Sequence, residues 1–251
     1  MRKLDYFTLL SSEPIYVVKI GHIKPPKLID VCHLGLDIYN TFLTTLLLNK
    51  DKFMELTHIK QSDDDYFDLI FTQKDYVFLL SKIFTFFMCE VVQPDMANKR
   101  FNVIIPAKDS KTGTIIGIIN KDNFDLVRDI ILQFNYCLNT DTDDSKVSDE
   151  HTAKLMKKIA KYRKKFSSQK TNNNDDYALP NIISKLCAYS SNVNMTDIWN
   201  YTVFQVYDQF FTLHEKITFT TSYFNYAIWG GDHDKLPKWY INTFEKRKKR
   251  G

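Results

Sequence analysis

Two acidic clusters come closest to metal-site chemistry in this chain. Asp63-Asp64-Asp65, with Asp68 just beyond, and Asp232-His233-Asp234 bring carboxylates, and in the second case an imidazole, within a few residues of one another. A calcium site needs about six to eight oxygens from a loop of set spacing. The first cluster lacks the glycine and the distal glutamate of such a loop. Both clusters therefore read as solvated loops, and no metal or other cofactor is expected. Cys32, Cys89, Cys137 and Cys187 stand far apart, without the two-residue gap of a zinc or redox pair. Each falls in an apolar helical pattern, where a free thiol acts as a small hydrophobe, so the four are expected in the core.

Phosphate and nucleophile chemistry has less support still. Neither GxxxxGK[ST] nor GxGxxG occurs, and the chain holds only 7 glycines from which to build a phosphate loop. HExxH, GxSxG and the kinase signatures are also absent. The 6 histidines, His22, His33, His58, His151, His214 and His233, are scattered. No catalytic residue can be assigned, and the expectation is a protein that is not an enzyme.

The basic segments are the remaining chemical feature. Lys154, Lys157, Lys158, Lys161, Arg163, Lys164 and Lys165 fall within one predicted helix, and Lys246, Arg247, Lys248, Lys249 and Arg250 close the sequence. Such runs can track a phosphate backbone and bind nucleic acid. They serve equally as a solvated helix and a solubilising tail. Acidic residues beside the helix dilute its field, and aromatic residues do not interleave with it as single-strand binders require. The net charge of +4 is modest.

These features must be carried by elements that the apolar spacing predicts. Ile15 to Ile20 is short and β-branched, bounded by Pro14 and Gly21, and reads as a strand. A helix follows from Lys27, with Leu28, Val31, Cys32, Leu36, Tyr39, Leu43, Leu46 and Leu47 mostly three and four apart. Phe67 to Phe71 fits a short helix or a strand. Asp75 is a plausible N-cap for a helix through about Val92, ended by Pro94. Phe101–Ile105 and Thr114–Ile119 flank a turn-rich connector and predict a hairpin. A helix with Phe124, Val127, Ile130, Ile131 and Phe134 on one face comes next, capped by Asn120 or Asp122. Pro180 suits the first turn of another helix. Thr202 and Gln205 have the form of a capping box at the start of a helix reaching Leu213. A further segment from about Thr218 ends at Gly230-Gly231.

At 251 residues the chain has room for one large domain or two small ones, at roughly 100–200 residues each. The composition turns polar and acidic at Asn139 and again around Asn172-Asn173-Asn174. The predicted fold class is α+β and helix-rich. A mixed α/β domain over 1–139 joins a linker over 140–176, which carries the basic helix. An all-α domain over 177–244 and a basic tail over 245–251 complete it. Leu28 to Leu48 and Tyr76 to Val92 are the longest apolar stretches, and charges interrupt both. A span needs about 20 predominantly apolar residues, so no membrane helix is expected. The opening Met1-Arg2-Lys3-Leu4-Asp5-Tyr6 lacks a signal-peptide pattern, and a cytoplasmic setting is expected.

One stretch resembles a known family. Asn194-Met195-Thr196-Asp197-Ile198-Trp199, the Thr202-headed aromatic helix with Tyr207-Asp208, and Ala227-Ile228-Trp229-Gly230 followed by Trp239-Tyr240 are similar to tail or baseplate assembly proteins of bacteriophages infecting low-GC bacteria. Asn123-Phe124-Asp125 through Asn135 resembles the same family's helix after a strand. The resemblance covers about a third of the chain and brings no catalytic residues. It implies a non-enzymatic morphogenesis protein of the host cytoplasm or the virion, with phage tail or baseplate proteins as partners. Trp229, Trp239 and Tyr240 are the candidate interface anchors, since Trp and Tyr dominate such contacts. The alternative is a nucleic-acid-binding protein using the basic helix and tail.

Overall fold

The structure, a computed structural model, describes residues 3–59, 62–106, 113–137, 178–231 and 236–238. It is mixed α+β and rich in helix, with small sheets in the N-terminal part and helices in the C-terminal part. The chain divides into two compact units. The first holds Met1–Pro26 and Asp30–Asn135, the second Lys27–Ile29 and Tyr136–Gly251.

The first unit opens with α1 (Tyr6–Leu10), whose N-cap Asp5 accepts from the Thr8 amide at 2.8 Å. The β-branched segment after Pro14 is a strand over half of its predicted length. β1 (Ile15–Val17) turns at Lys19, φ 62°, and Gly21, φ 126°, into β2 (Gly21–Ile23), pairing Tyr16 with His22. The predicted continuous helix from Lys27 is two helices, α2 (Leu28–Leu34) and α3 (Leu36–Leu47). Gly35, at φ 91°, breaks the spiral between them. α4 (Lys50–Thr57), capped by Asn49, has a weak apolar stripe and was not predicted, nor was α1. α5 (Tyr66–Ile70) settles the Phe67 region as helix.

α6 (Lys74–Phe87) starts from Gln73 rather than Asp75 and stops five residues short of Val92. Val91, Val92 and Pro94, predicted as the helix end and its stop, form β3 (Val91–Asp95) instead. Their apolar spacing continues that of α6, which is why periodicity alone ran through them. Proline is tolerated because β3 lies at the edge of the sheet, whose order is β3-β4-β5. β4 (Arg100–Ile105) and β5 (Thr114–Ile119) form the predicted hairpin, with Phe101 opposite Ile119 and a bulge between Val103 and Ile104. α7 (Phe124–Phe134) follows from Asn123 and buries Phe124, Val127, Ile130, Ile131 and Phe134, as its spacing predicts.

One face of this sheet rests on helices through a cluster of rings. Phe101 meets Phe71 and Phe84 at centroid distances of 5.3 Å each, and Phe67 meets Phe124 at 5.2 Å. Phe84 and Phe101 are fully buried. On the far edge, β5 comes so close to the preceding hairpin that Gly117 is obligatory. A Cβ there would lie 2.3 Å from the Ile20 carbonyl oxygen and 2.7 Å from its carbon, both backbone atoms. Gly117→Ala is therefore expected to destabilise the first unit by roughly 2–3 kcal/mol, measured as a lowered urea midpoint; an unchanged midpoint would contradict the packing.

The second unit is built on α8 (Leu179–Tyr189) and α9 (Val203–Trp229), joined through a 3-10 turn at Ile198–Asn200. Pro180 sits in the first turn of α8 as predicted. The Asn194 side chain organises the turn by accepting from the Thr196 and Asp197 amides, each at 2.9 Å. The capping box is present. Thr202 Oγ1 accepts from the Gln205 amide at 3.2 Å, and Gln205 Oε1 accepts from the Thr202 amide at 2.8 Å. The Tyr136 ring packs on Phe204 and Phe211 at 5.0 and 5.3 Å. A short bridge between Lys27 and Thr202, with the Leu28 amide donating to the Tyr201 carbonyl at 2.9 Å, ties Lys27–Ile29 into this unit. The two predicted segments ending at Leu213 and beginning near Thr218 are one 27-residue helix. Its β-branched Thr218, Thr220 and Thr221 weaken local propensity, yet the helix runs through them, with the Thr218 and Thr220 hydroxyls donating to the His214 and Lys216 carbonyls at 3.0 and 2.9 Å.

Candidate interaction surface

α9 begins as a core helix and ends as an exposed one. Val203, Phe204, Val206, Tyr207, Asp208 and Phe211 are buried, whereas every residue from Thr212 to Trp229 is half-buried or exposed. A solvated helix should be polar over most of its surface. Here Glu215 and Lys216 are the formal charges in that run, while Ile217, Phe224, Ile228 and Trp229 are 48%, 64%, 65% and 83% exposed. Gly230, at φ 71°, closes the helix by donating to the Tyr226 carbonyl at 2.8 Å. Beside this end lies an open depression of about 530 Å³ lined by Ser222, Asn225, Tyr226, Trp229, Leu236 and Pro237.

Of the anchors the sequence suggested, Trp229 is thus on the surface and takes no part in the core. Trp239 and Tyr240 lie outside the described residues, as do the basic positions 154–165 and 246–250 and the cluster at 232–234. The exposure of Ile217, Phe224 and Ile228 is not legible in the sequence, where the spacing suggests one helix ending near Leu213 and another segment beginning near Thr218.

The other chemical candidates resolve into structural roles. Asp65 caps α5 through the Phe67 amide at 3.0 Å, and Asp64 bonds Ser62 at 2.9 Å. Asp68 faces Lys99 at 3.2 Å and Lys121 at 3.3 Å, and hydrogen bonds from these lysines hold its carboxyl below the ordinary range. Among the described residues no group of His, Cys, Asp or Glu has the arrangement of a metal site. The cysteines are not core residues as expected. Cys32 and Cys89 are exposed, and Cys137 and Cys187 half-buried. Cys32 and Cys187 sit towards the outer side of their helices, while Cys89 and Cys137 fall in the loops just after α6 and α7.

One oriented histidine was not foreseen. Glu90, 7% exposed, accepts from the His22 amide at 3.1 Å and lies 2.7 Å from His22 Nδ1. Tyr16 packs on the imidazole at 5.1 Å, and the Cys89 amide donates to the His22 carbonyl at 3.0 Å. A buried carboxylate of this kind fixes a ring for proton transfer or for holding a ligand. The neighbouring thiol is poorly suited to act with it, because partial desolvation of its sulfur and the Glu90 charge push its pKa up. The pair clasps the β1–β2 hairpin to the connection between α6 and β3. A groove of about 950 Å³ elsewhere in the first unit, lined by Asp30, His33, Phe42, Lys82 and Phe86 among others, mixes apolar and charged groups with no nucleophile aligned to a base. Among the described residues no helix is long and apolar enough to cross a membrane.

Residues 169–244, less than half of the chain but the whole of α8 and α9, match the family described as YomV second domain, a phage-associated name. No curated protein and no solved structure matches the chain.

Proposed function

We propose that this chain is a non-enzymatic phage morphogenesis protein that acts in tail or baseplate assembly through protein–protein contacts. The observation that carries the reading is the exposed end of α9, where 18 residues with two formal charges present Trp229 and other large apolar side chains to solvent. Isolated apolar residues on a surface are ordinary, but so many large ones along one exposed helix with so few charges point to contacts with a partner. The match to a phage-associated family spans that same helix. An assembly protein needs such surfaces rather than a cleft with aligned acid, base and nucleophile, and the absence of recognisable catalytic motifs in the sequence agrees with that role.

Affinity purification of the tagged chain from phage-infected cells tests the proposal. Tail or baseplate proteins are expected to co-purify at a reproducible ratio. Recovery of nucleic acid in their place, with affinity falling steeply as salt rises, would support the nucleic-acid reading and overturn this one.

A further inference from the structure

The exposed stripe of α9 continues a pattern that starts in the core. Val203 and Val206, both buried, begin a run in alternating steps of three and four through Phe210, Leu213, Ile217, Thr220, Phe224 and Ala227. This is the spacing of a coiled-coil a/d seam, and over the roughly two and a half heptads from Phe210 onward none of its positions is fully buried. It lies on nearly the opposite side of the helix from Trp229, so pairing along it covers Ile217 and Phe224 and leaves Trp229 free as the anchor for another partner.

We propose that this seam pairs α9 with α9 of a second copy of the same chain, the two helices running antiparallel. Size matching along the seam selects this arrangement. With a two-fold axis between Thr218 and Phe219, Phe210 faces Ala227 of the second copy, Leu213 faces Phe224, and Ile217 faces Thr220. Every layer then combines a larger with a smaller side chain, as close packing requires. A parallel pair would instead stack Phe on Phe at positions 210 and 224 and leave gaps at Thr220 and Ala227. Charge offers no obstacle. Glu215 falls on the outward side, and Lys216 comes beside Tyr223 of the second copy, where its ammonium can sit over the ring.

The area is adequate. With about 150–250 Å² for each large side chain, the exposed parts of Ile217, Phe224 and Ile228 come to roughly 300 Å² per copy. Adding the flanks of Leu213, Thr220 and Tyr223 brings the two copies together to at most about 1,000 Å², the lower bound for a biological interface and the range of weaker pairs.

Sedimentation equilibrium of the full chain from about 1 to 100 µM tests the pairing. Wild type is expected to reach twice the 29.6 kDa chain mass. Ile217→Asp with Phe224→Asp should weaken association by about 100-fold or more with an unchanged far-UV CD spectrum, whereas Trp229→Ala should still dimerise. Ile217→Lys and Thr220→Glu should each associate poorly alone and regain association when mixed, because position 217 faces 220 across an antiparallel seam. A wild type that stays monomeric, a double variant that still dimerises, or a mixture that fails to recover would each overturn the proposal. None of these outcomes depends on a phage partner, so failure here leaves the morphogenesis reading to its own test.

Discussion

Phe101→Ala is expected to cost the first unit roughly 3–5 kcal/mol, out of a total of about 5–15 kcal/mol for an ordinary domain. The phenyl ring is fully buried and is met by Phe67, Phe71 and Phe84, at 6.4, 5.3 and 5.3 Å. These partners come from α5, the loop after it, and α6, so one truncation opens a void where the sheet meets two helices. The void cannot close cheaply, because Phe101 stands on the central strand, held on both sides by ladders with β3 and β5. Urea unfolding together with hydrogen exchange on the β4 amides would measure the loss. Phe78→Ala, on the exposed side of α6 at 52% exposure, should shift stability by no more than about 0.5 kcal/mol. A Phe101→Ala cost as small as that of Phe78→Ala would contradict the assigned core.

The second large effect concerns function. Trp229→Ala should reduce co-purification of the proposed tail or baseplate partner by about 30-fold or more, corresponding to an interface anchor worth at least ~2 kcal/mol. Stability should barely change, since Trp229 is 83% exposed and contributes little to the packing of the second unit. Separating the two readouts is the point of the variant. A core tryptophan would lower stability and binding together, whereas an anchor lowers binding alone. Normal capture by a well-folded Trp229→Ala protein would remove this residue from the interface.

Elements with a complete local signal were legible in the sequence. The Thr202–Gln205 capping box, Pro180 in the first turn of α8, the apolar face of α7 and the β4–β5 hairpin all appear as predicted. Misreadings arose where tertiary context competes with periodicity. Val91 and Val92 prolong the helical spacing of α6, yet pairing with β4 draws them into an edge strand that accepts Pro94. Gly35 lies inside an otherwise regular run, and its positive φ divides α2 from α3. The obligatory role of Gly117 depends on Ile20, nearly a hundred residues away in the chain, and no local pattern announces it. For the candidate surface, the sequence supplied Trp229 but could not separate core from interface aromatics. Exposure along α9 makes that distinction, and it also reveals Phe224 and Ile228.

Quantitative mass spectrometry of purified virions and of sedimenting tail and baseplate intermediates, beside the lysate of the infected host, tests the morphogenesis claim most directly. The chain is expected at a fixed ratio to tail or baseplate subunits, in the virion if it is a structural component or in the intermediates if it is an assembly factor. A chain that is abundant in the lysate yet absent from both particles and intermediates, and free of every structural protein, would contradict the claim.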